Sequence, residues 1–467
     1  MTPVFDESFL LGNDAARALY ARASRIPIFD YHNHLNAKDI LDNAPFYDLA
    51  ALFLGDDHYK WRLTRANGAP ERFVSGDASG YEKFLAYASA LPLAAGSPLP
   101  VWNRLELKRY FGIDAPLSGE SAKAIWDQAR EMMRGGGFTP RALLARSNVK
   151  ALVTTDDPAD DLSYHARLAK DASFPVKVLP GFRPERAGEV WRGADWRKYI
   201  QTLSEAANVE IKDYPSLLGA LEKRMAAFAA LGCVCGDYSM ERVPFARATE
   251  AQLDAIFKKA LAAEPVSQDE ADQYLTELLL WLASSFAKRG WVMELHIGPV
   301  RARNSRMTAL VGRDAGFDAM ADHTLMRDLG GFLDALCEGD KLPKTILFNL
   351  NPKDGAAFAA LAATFQDESF PSKMQYGPAW WMNDHRDGIR AQLSALGQQG
   401  LLGRFIGMAS DSRSYLAFAR HEYFRRALCD LLGEWIERGE YPYGEQEQHR
   451  LVAGVCFDNA AAYFGLK

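Results

Sequence analysis

Eight short apolar runs punctuate the chain, and each ends in a cluster of polar residues. They are Ile26 to Tyr31, Val149 to Thr155, Val176 to Leu179, Cys233 to Cys235, Trp291 to Ile297, Thr345 to Leu350, Met374 to Tyr376 and Phe405 to Ala409. From about residue 149 onward, stretches with helical periodicity separate them. Continuous apolar runs, rather than alternating ones, mark parallel strands that helices cover. The order predicts an α/β fold, a distorted (β/α)8 TIM barrel. A doubly wound open sheet is the competing architecture; it more often carries a Gly-rich turn after its first strand, and none follows His34.

Between the first and second runs lie roughly a hundred residues, far more than an ordinary strand-to-helix connection needs. Residues 81–90 and 121–133 there have helical spacing, and Gly135-Gly136-Gly137 reads as an exit turn. The expected organisation is an N-terminal segment with strand one over residues 1–36, a mainly helical insertion over 37–147, and the rest of the barrel over 148–467. A second long connection, from about Asp237 to Arg289, carries helical patterns over 251–263 and 269–287.

The ends of the runs hold the chemistry. In order they offer His32 and His34; Thr154 to Asp157; Arg183; Asp237; His296; Asn349 and Asn351; Trp380 and Trp381; Asp411 and Arg413. Polar groups gathered at one end of eight strands are what a barrel active site requires. His32 and His34 are two residues apart, so in a strand they share a face and suit one metal ion, with Asp30 a further candidate on that face. In a closed barrel strands one and eight are neighbours, which brings Asp411 to the same ion. The set His32, His34 and Asp411 suits zinc or a similar divalent ion; an Asp capping a helix that starts near Ser414 is the plainer alternative.

Other residues have two readings each. Arg183 is either a bidentate hook for a carboxylate or phosphate, or half of an internal salt bridge. His296 is a metal ligand, a substrate contact or a satisfied core histidine. The cluster from Asp56 to Arg62, with His58 and Tyr59, is a cover for the barrel mouth or an ordinary amphipathic helix. Trp380 and Trp381 stack on a sugar or belong to the core. Arg420-His421-Glu422-Tyr423 is no zinc-protease helix, because position 425 is Arg rather than His.

Composition narrows the class. A formal charge of −6 argues against a sequence-independent nucleic-acid binder, so an anionic ligand would need locally placed arginines. The strongest apolar run, Tyr274 to Trp281, is interrupted by Glu277 and too short for a bilayer, so no membrane association is expected. The first residues lack the basic and apolar segments of a secretory signal. Five scattered cysteines suit a reducing compartment, and the expected location is the cytoplasm.

Taken in order, several segments resemble one family. Phe29-Asp30-Tyr31-His32-Asn33-His34-Leu35, Asp57-His58-Tyr59-Lys60-Trp61-Arg62, Val153-Thr154-Thr155-Asp156-Asp157-Pro158, Leu295-His296-Ile297-Gly298, Lys344-Thr345-Ile346-Leu347, Asp411-Ser412-Arg413-Ser414 and Arg420 to Arg426 are similar to the uronate (glucuronate) isomerases among the amidohydrolase-like metal barrels. The resemblance implies a helical insertion after strand one. It also implies an aldose–ketose isomerase that interconverts D-glucuronate with D-fructuronate and D-galacturonate with D-tagaturonate in hexuronate catabolism. It places the metal on His32, His34 and Asp411, with Zn2+ as the expected ion and Mn2+ as the other option. It puts the substrate carboxylate on Arg183, and the reacting end near Arg413 and Tyr59.

Under that resemblance Asp411 is the base for proton transfer through an enediol, Tyr59 and His34 orient hydroxyls, and His58, His296, Trp380 and Trp381 contact the sugar. A hydride shift between C1 and C2 would use nearly the same residues. Asp237-Tyr238 departs from the Asp-His usual after strand four. A metal-dependent hydrolase and a non-catalytic sugar-acid binding barrel are the alternative functions, and a small-molecule hexuronate with a homo-oligomeric assembly is the partner expectation for the isomerase.

Overall fold

The computed structural model describes residues 6–466. Seven parallel strands form one curled sheet in chain order: β1 (Ile28–Asp30), β2 (Val149–Asp156), β3 (Lys177–Phe182), β4 (Cys235–Met240), β5 (Val292–Ile297), β6 (Thr345–Asn349) and β7 (Met374–Tyr376). β1 and β7 are its edges. Helices connect successive strands, so the neighbours in sequence are neighbours in the sheet, as parallel crossovers require.

The eighth run is where the expectation and the structure part. Residues 405–410 are buried, yet they form no strand. Their apolarity reflects burial, whereas their backbone is held mainly by side chains. Asp30 accepts hydrogen bonds from the Ser410 backbone N–H at 2.7 Å and from its hydroxyl at 2.5 Å, and Tyr31 donates to the Gly407 carbonyl at 2.8 Å. From the other side Gln375 of β7 donates to the Arg404 carbonyl at 3.1 Å, and Asn459 donates to the carbonyls of Gly403 and Phe405 at 2.9 and 2.8 Å. Gly407 has φ +74°, and a Cβ there would lie 2.2 Å from the Val455 carbonyl oxygen. Glycine is therefore required both for the left-handed backbone and for the close approach. Two backbone bonds close the barrel at its mouth, Asp411 N–H to the His32 carbonyl and His34 N–H to the Ser412 carbonyl, each 3.0 Å.

Seven α-helices lie between β1 and β2, from Ala37–Asp42 to Pro140–Arg146. Their ends follow local chemistry. Ser79 and Glu82 form a reciprocal cap at the start of Gly80–Ala90, and Asp57 accepts from the N–H groups of Tyr59 and Lys60 at the start of His58–Ala66. Between β4 and β5, Ser267 and Glu270 cap Gln268–Arg289, which ends at Gly290 with φ +68°. No described helix is long and apolar enough to cross a membrane.

An excursion after β5 was not foreseen from the apolar pattern. Residues 299–320 make a small antiparallel ribbon, Pro299–Val300 with Ala319–Met320, around the helix Ser305–Val311. It leans on the insertion, where Arg62 donates to the Asp318 carbonyl at 3.2 Å and Arg65 to the Ala315 carbonyl. The helix Ala419–Glu437 fastens the start of the chain: Arg425 donates to the carbonyls of Ala23, Ile26 and Pro27, and the fully buried Arg426 pairs with Glu422.

Candidate functional site

β1 ends at Asp30, and the chain that follows carries His32 and His34 into the barrel mouth. Asp30 itself is turned to Ser410, so its carboxylate serves the seam instead of joining the histidines. His34 Nε2 lies 3.0 Å from Asp411 Oδ1, and His32 Nε2 lies 3.4 Å from the same oxygen. Asp411 sits in left-handed backbone, φ +44°, held there by the closing bond to His32. It caps no helix; the next one begins at Ala419. Its second oxygen accepts the indole N–H of Trp381 at 2.7 Å.

Behind this trio is a deeper set. His32 Nδ1 meets Glu294 Oε2 at 2.9 Å, and His296 Nδ1 meets Asp237 Oδ1 at 2.6 Å. Arg183 approaches the other Asp237 oxygen at 3.0 Å and pairs with Glu185 at 2.9 Å. Two carboxylates thus face the Arg183 guanidinium. Tyr238, one residue on from Asp237, points the opposite way by strand alternation. Its hydroxyl donates to the Glu185 carbonyl at 3.1 Å, outside the inner wall, and it borders a second cavity.

Burial and charge set the protonation states. Burial alone would push His32 down, but Asp237, Asp411 and Glu294 outweigh it and hold it well above the usual imidazole range. His34 is pushed down to about 4 by burial. Burial would raise Asp411, yet hydrogen bonds from His32 and His34 hold it well below the usual carboxylate range. Asp237 also stays low, because Arg183, His296 and His32 overcome its burial. Glu294 is raised by burial.

The mouth opens into a polar cavity of about 380 Å³, lined in part by His32, His34, His58, Arg183, His296, Trp380, Trp381, Asp411 and Arg413. That volume matches a small polar ligand. His296 packs face to face with Phe348 at 4.1 Å between ring centres, and Trp380 meets its edge at 4.9 Å. His58 stacks on Tyr59 at 4.3 Å. Tyr59 itself lies outside the main cavity, in an adjoining crevice of about 20 Å³ with Asp411 and Arg413. Arg301 lies over the Trp381 ring at 4.7 Å and pairs with Asp318 at 3.0 Å. Asn349 and Asn351 bond each other and the Ala321 carbonyl, building a turn away from the cavity.

The donor set fits a divalent ion. Ligand atoms about 2.0–2.1 Å from a tetrahedral ion lie roughly 3.3 Å apart, close to the 3.0 and 3.4 Å separations above. Among the described residues two overlapping groups have this capacity: His32, His34 and Asp411, and the fully buried His32, Asp237, Glu294 and His296. In the second, Glu294 Oε1 and His296 Nε2 are buried without a hydrogen-bond partner. Such orphaned atoms call for an ion, a ligand or water.

Glu294, Asp237 and Arg301 join the site without having been assigned a role from sequence. Glu294 stands two residues before His296 on one strand, so the period of two was a usable signal for it. Arg301 lies in the excursion, where no periodic signal exists.

A family model described as glucuronate isomerase matches residues 1–464. Uronate isomerase of Caldicellulosiruptor saccharolyticus is 45% identical over 466 residues, covering all of both chains. That of Haemophilus influenzae (strain 86-028NP) is 44% identical, covering 99% of this chain and all of its own. The solved uronate isomerase of Thermotoga maritima superposes with a TM-score of 0.93 at 33% identity, covering 99% of each chain.

Proposed function

Because the chain belongs to the glucuronate isomerase family, we propose that its barrel mouth interconverts D-glucuronate with D-fructuronate and D-galacturonate with D-tagaturonate, as a step of hexuronate catabolism in the cytoplasm. The observation that carries this reading is Asp411. It is an ionised carboxylate fixed by His32, His34 and Trp381, and it borders a 380 Å³ polar cavity with Arg413 beside it.

Aldose–ketose conversion moves a proton between C2 and C1 of the open-chain sugar through an enediol. Asp411 takes and returns that proton. The contacts that keep it ionised also make it a weak base, so the carbon acid must be activated on its oxygen side. Arg413, with no hydrogen bond or ion pair of its own among the described residues, places positive charge where the enediolate forms. Tyr59 reaches this region from the adjoining crevice, and His34 orients a hydroxyl. Arg183 holds the C6 carboxylate through whatever donor capacity Asp237 and Glu185 leave it, while His58, His296, Trp380 and Trp381 shape the wall for the ring carbons and hydroxyls.

His32, His34 and Asp411 would hold a divalent ion, Zn2+ or alternatively Mn2+. When bound, it supplies Lewis-acid polarisation of the substrate oxygen. Residues 37–147 act as a mainly helical insertion that brings His58 and Tyr59 to the barrel of 1–36 and 148–467.

Proton NMR of each uronate, incubated with the protein with and without added Zn2+ or Mn2+, tests the proposal. The matching ketouronate should appear and should depend on metal. No conversion of either sugar by metal-loaded protein would end it. In D2O, solvent deuterium at the transferred position supports proton transfer, and its complete absence supports a hydride shift.

A further inference from the structure

Glu294 reaches across the barrel from β5 to the end of β1, 262 residues earlier in the chain. Its carboxylate is fully buried, with Oε2 at 2.9 Å from His32 Nδ1. The other ring nitrogen, His32 Nε2, faces Asp411 and is the atom available to an ion. A neutral imidazole has one proton and one lone pair. If Nε2 gives its lone pair to a metal, the proton must sit on Nδ1, where Glu294 is its acceptor. The buried Cys235, Tyr31 and Tyr463 side chains lie close enough to interact electrostatically with this carboxylate.

We propose that Glu294 is a positioning residue: it fixes the tautomer and ring orientation of His32 and so sets how tightly the centre holds its divalent ion. The inference rests on the metal reading above and is independent of which sugar reacts.

The same geometry decides against a second ion among His32, Asp237, Glu294 and His296, although their ligand atoms lie within 4.8 Å of one another. His32 Nδ1 cannot both donate to Glu294 and ligate. His296 Nδ1 is engaged with Asp237, which leaves Nε2 as its free ring atom, but the other Asp237 oxygen lies 3.0 Å from the Arg183 guanidinium. A second dication would have to sit against that positive charge. This group therefore braces one ion per chain.

The test uses metal-stripped full-length protein titrated with Zn2+ against a chromophoric chelator, for the wild type, E294Q and E294L. Native mass spectrometry counts ions per chain. The wild type should bind one, and E294L should bind it about 10- to 100-fold more weakly, the usual loss when such a partner is removed. E294Q keeps an acceptor oxygen and should fall between them; it also carries the test if E294L does not fold. Nitrogen-15 NMR of the loaded wild type should show the His32 proton on Nδ1.

Equal affinity in wild type and E294Q with equal affinity in E294L would overturn the role of Glu294 while leaving the metal site intact. Two ions per chain, or the His32 proton on Nε2, would overturn it as well. A wild type that binds no Zn2+ or Mn2+ at all would remove the metal reading and this inference together, whatever the isomerase assay shows.

Discussion

Trp381 donates its indole N–H to Asp411 at 2.7 Å, and both residues hold left-handed backbone, with φ of +50° and +44°. Such conformations cost of order 1–3 kcal/mol each outside glycine and persist where the surroundings enforce them. Here the two strained residues meet through one hydrogen bond that orients the carboxylate.

Trp381→Phe should therefore impair turnover more than folding. A hydrogen bond to a charged group is worth about 1.5–3 kcal/mol, which predicts a fall in kcat of roughly 10- to 100-fold. Steady-state kinetics beside a thermal melt would check this. Unchanged kcat would mean that His32 and His34 orient Asp411 without the indole.

Asp411→Asn removes the charge but keeps the shape. If Asp411 is the base, turnover should fall by ~10²- to 10⁴-fold, and Zn2+ should bind more weakly because a ligand charge is lost. Near-normal turnover would take Asp411 out of the proton-transfer role.

The insertion hides a buried ion cluster behind His58 and Tyr59. Lys60 is 1% exposed and donates to the Phe53 carbonyl at 2.7 Å and to Glu106 at 3.3 Å, with Asp57 at 3.6 Å. Lys60→Met should destabilise the protein by about 3–5 kcal/mol, because it strands buried carboxylates without a cation. Adding Glu106→Gln should recover part of that loss. Urea unfolding of both variants would decide, and an additive double mutant would refute the pairing.

Asp156 makes stability depend on pH in a defined direction. Burial pushes its pKa up to about 7, against the lowering effect of the Thr154 hydroxyl, which donates at 2.7 Å. Its unfolded value is about 3.9. Between these values the native state binds more protons than the unfolded state, so this group's contribution to stability falls as pH rises from about 4 to about 7. His165 nearby is held down to about 4 by burial and slopes the other way below pH 6.5. Comparing Asp156→Asn with wild type isolates the carboxyl: the variant's relative stability should grow across pH 4–7 in thermal melts and then level off. A pH-independent difference would contradict the assignment.

His32, His34 and Asp411 were readable because polar residues at the end of an apolar run are a local signal, and closure of a barrel joins its first and last segments. The two histidines nevertheless lie beyond β1 and not within it, as the strand spacing supposed. Glu294 was harder: periodicity tells which face a residue occupies but not that its partner lies 262 positions away. The eighth run misled in a physical way. An apolar stretch records exclusion from water, and residues 405–410 are excluded from water without pairing as a strand. The excursion at 299–320 has short elements and no sustained period, so Arg301 and Asp318 had no pattern to announce them.

The seam held by Asn459, Asp30 and Tyr31 also fixes when the candidate centre can come into being. A ribosome delivers His32 and His34 early, and they must wait through nearly four hundred further residues for Asp411, and through some fifty more for the asparagine that clasps the backbone leading to it. Domains generally acquire structure as units during synthesis, so the nascent barrel would stay chemically silent until Asn459 has emerged. An incomplete chain could hold folded helices and most of the sheet and still have no paired histidines and carboxylate with which to grip an ion.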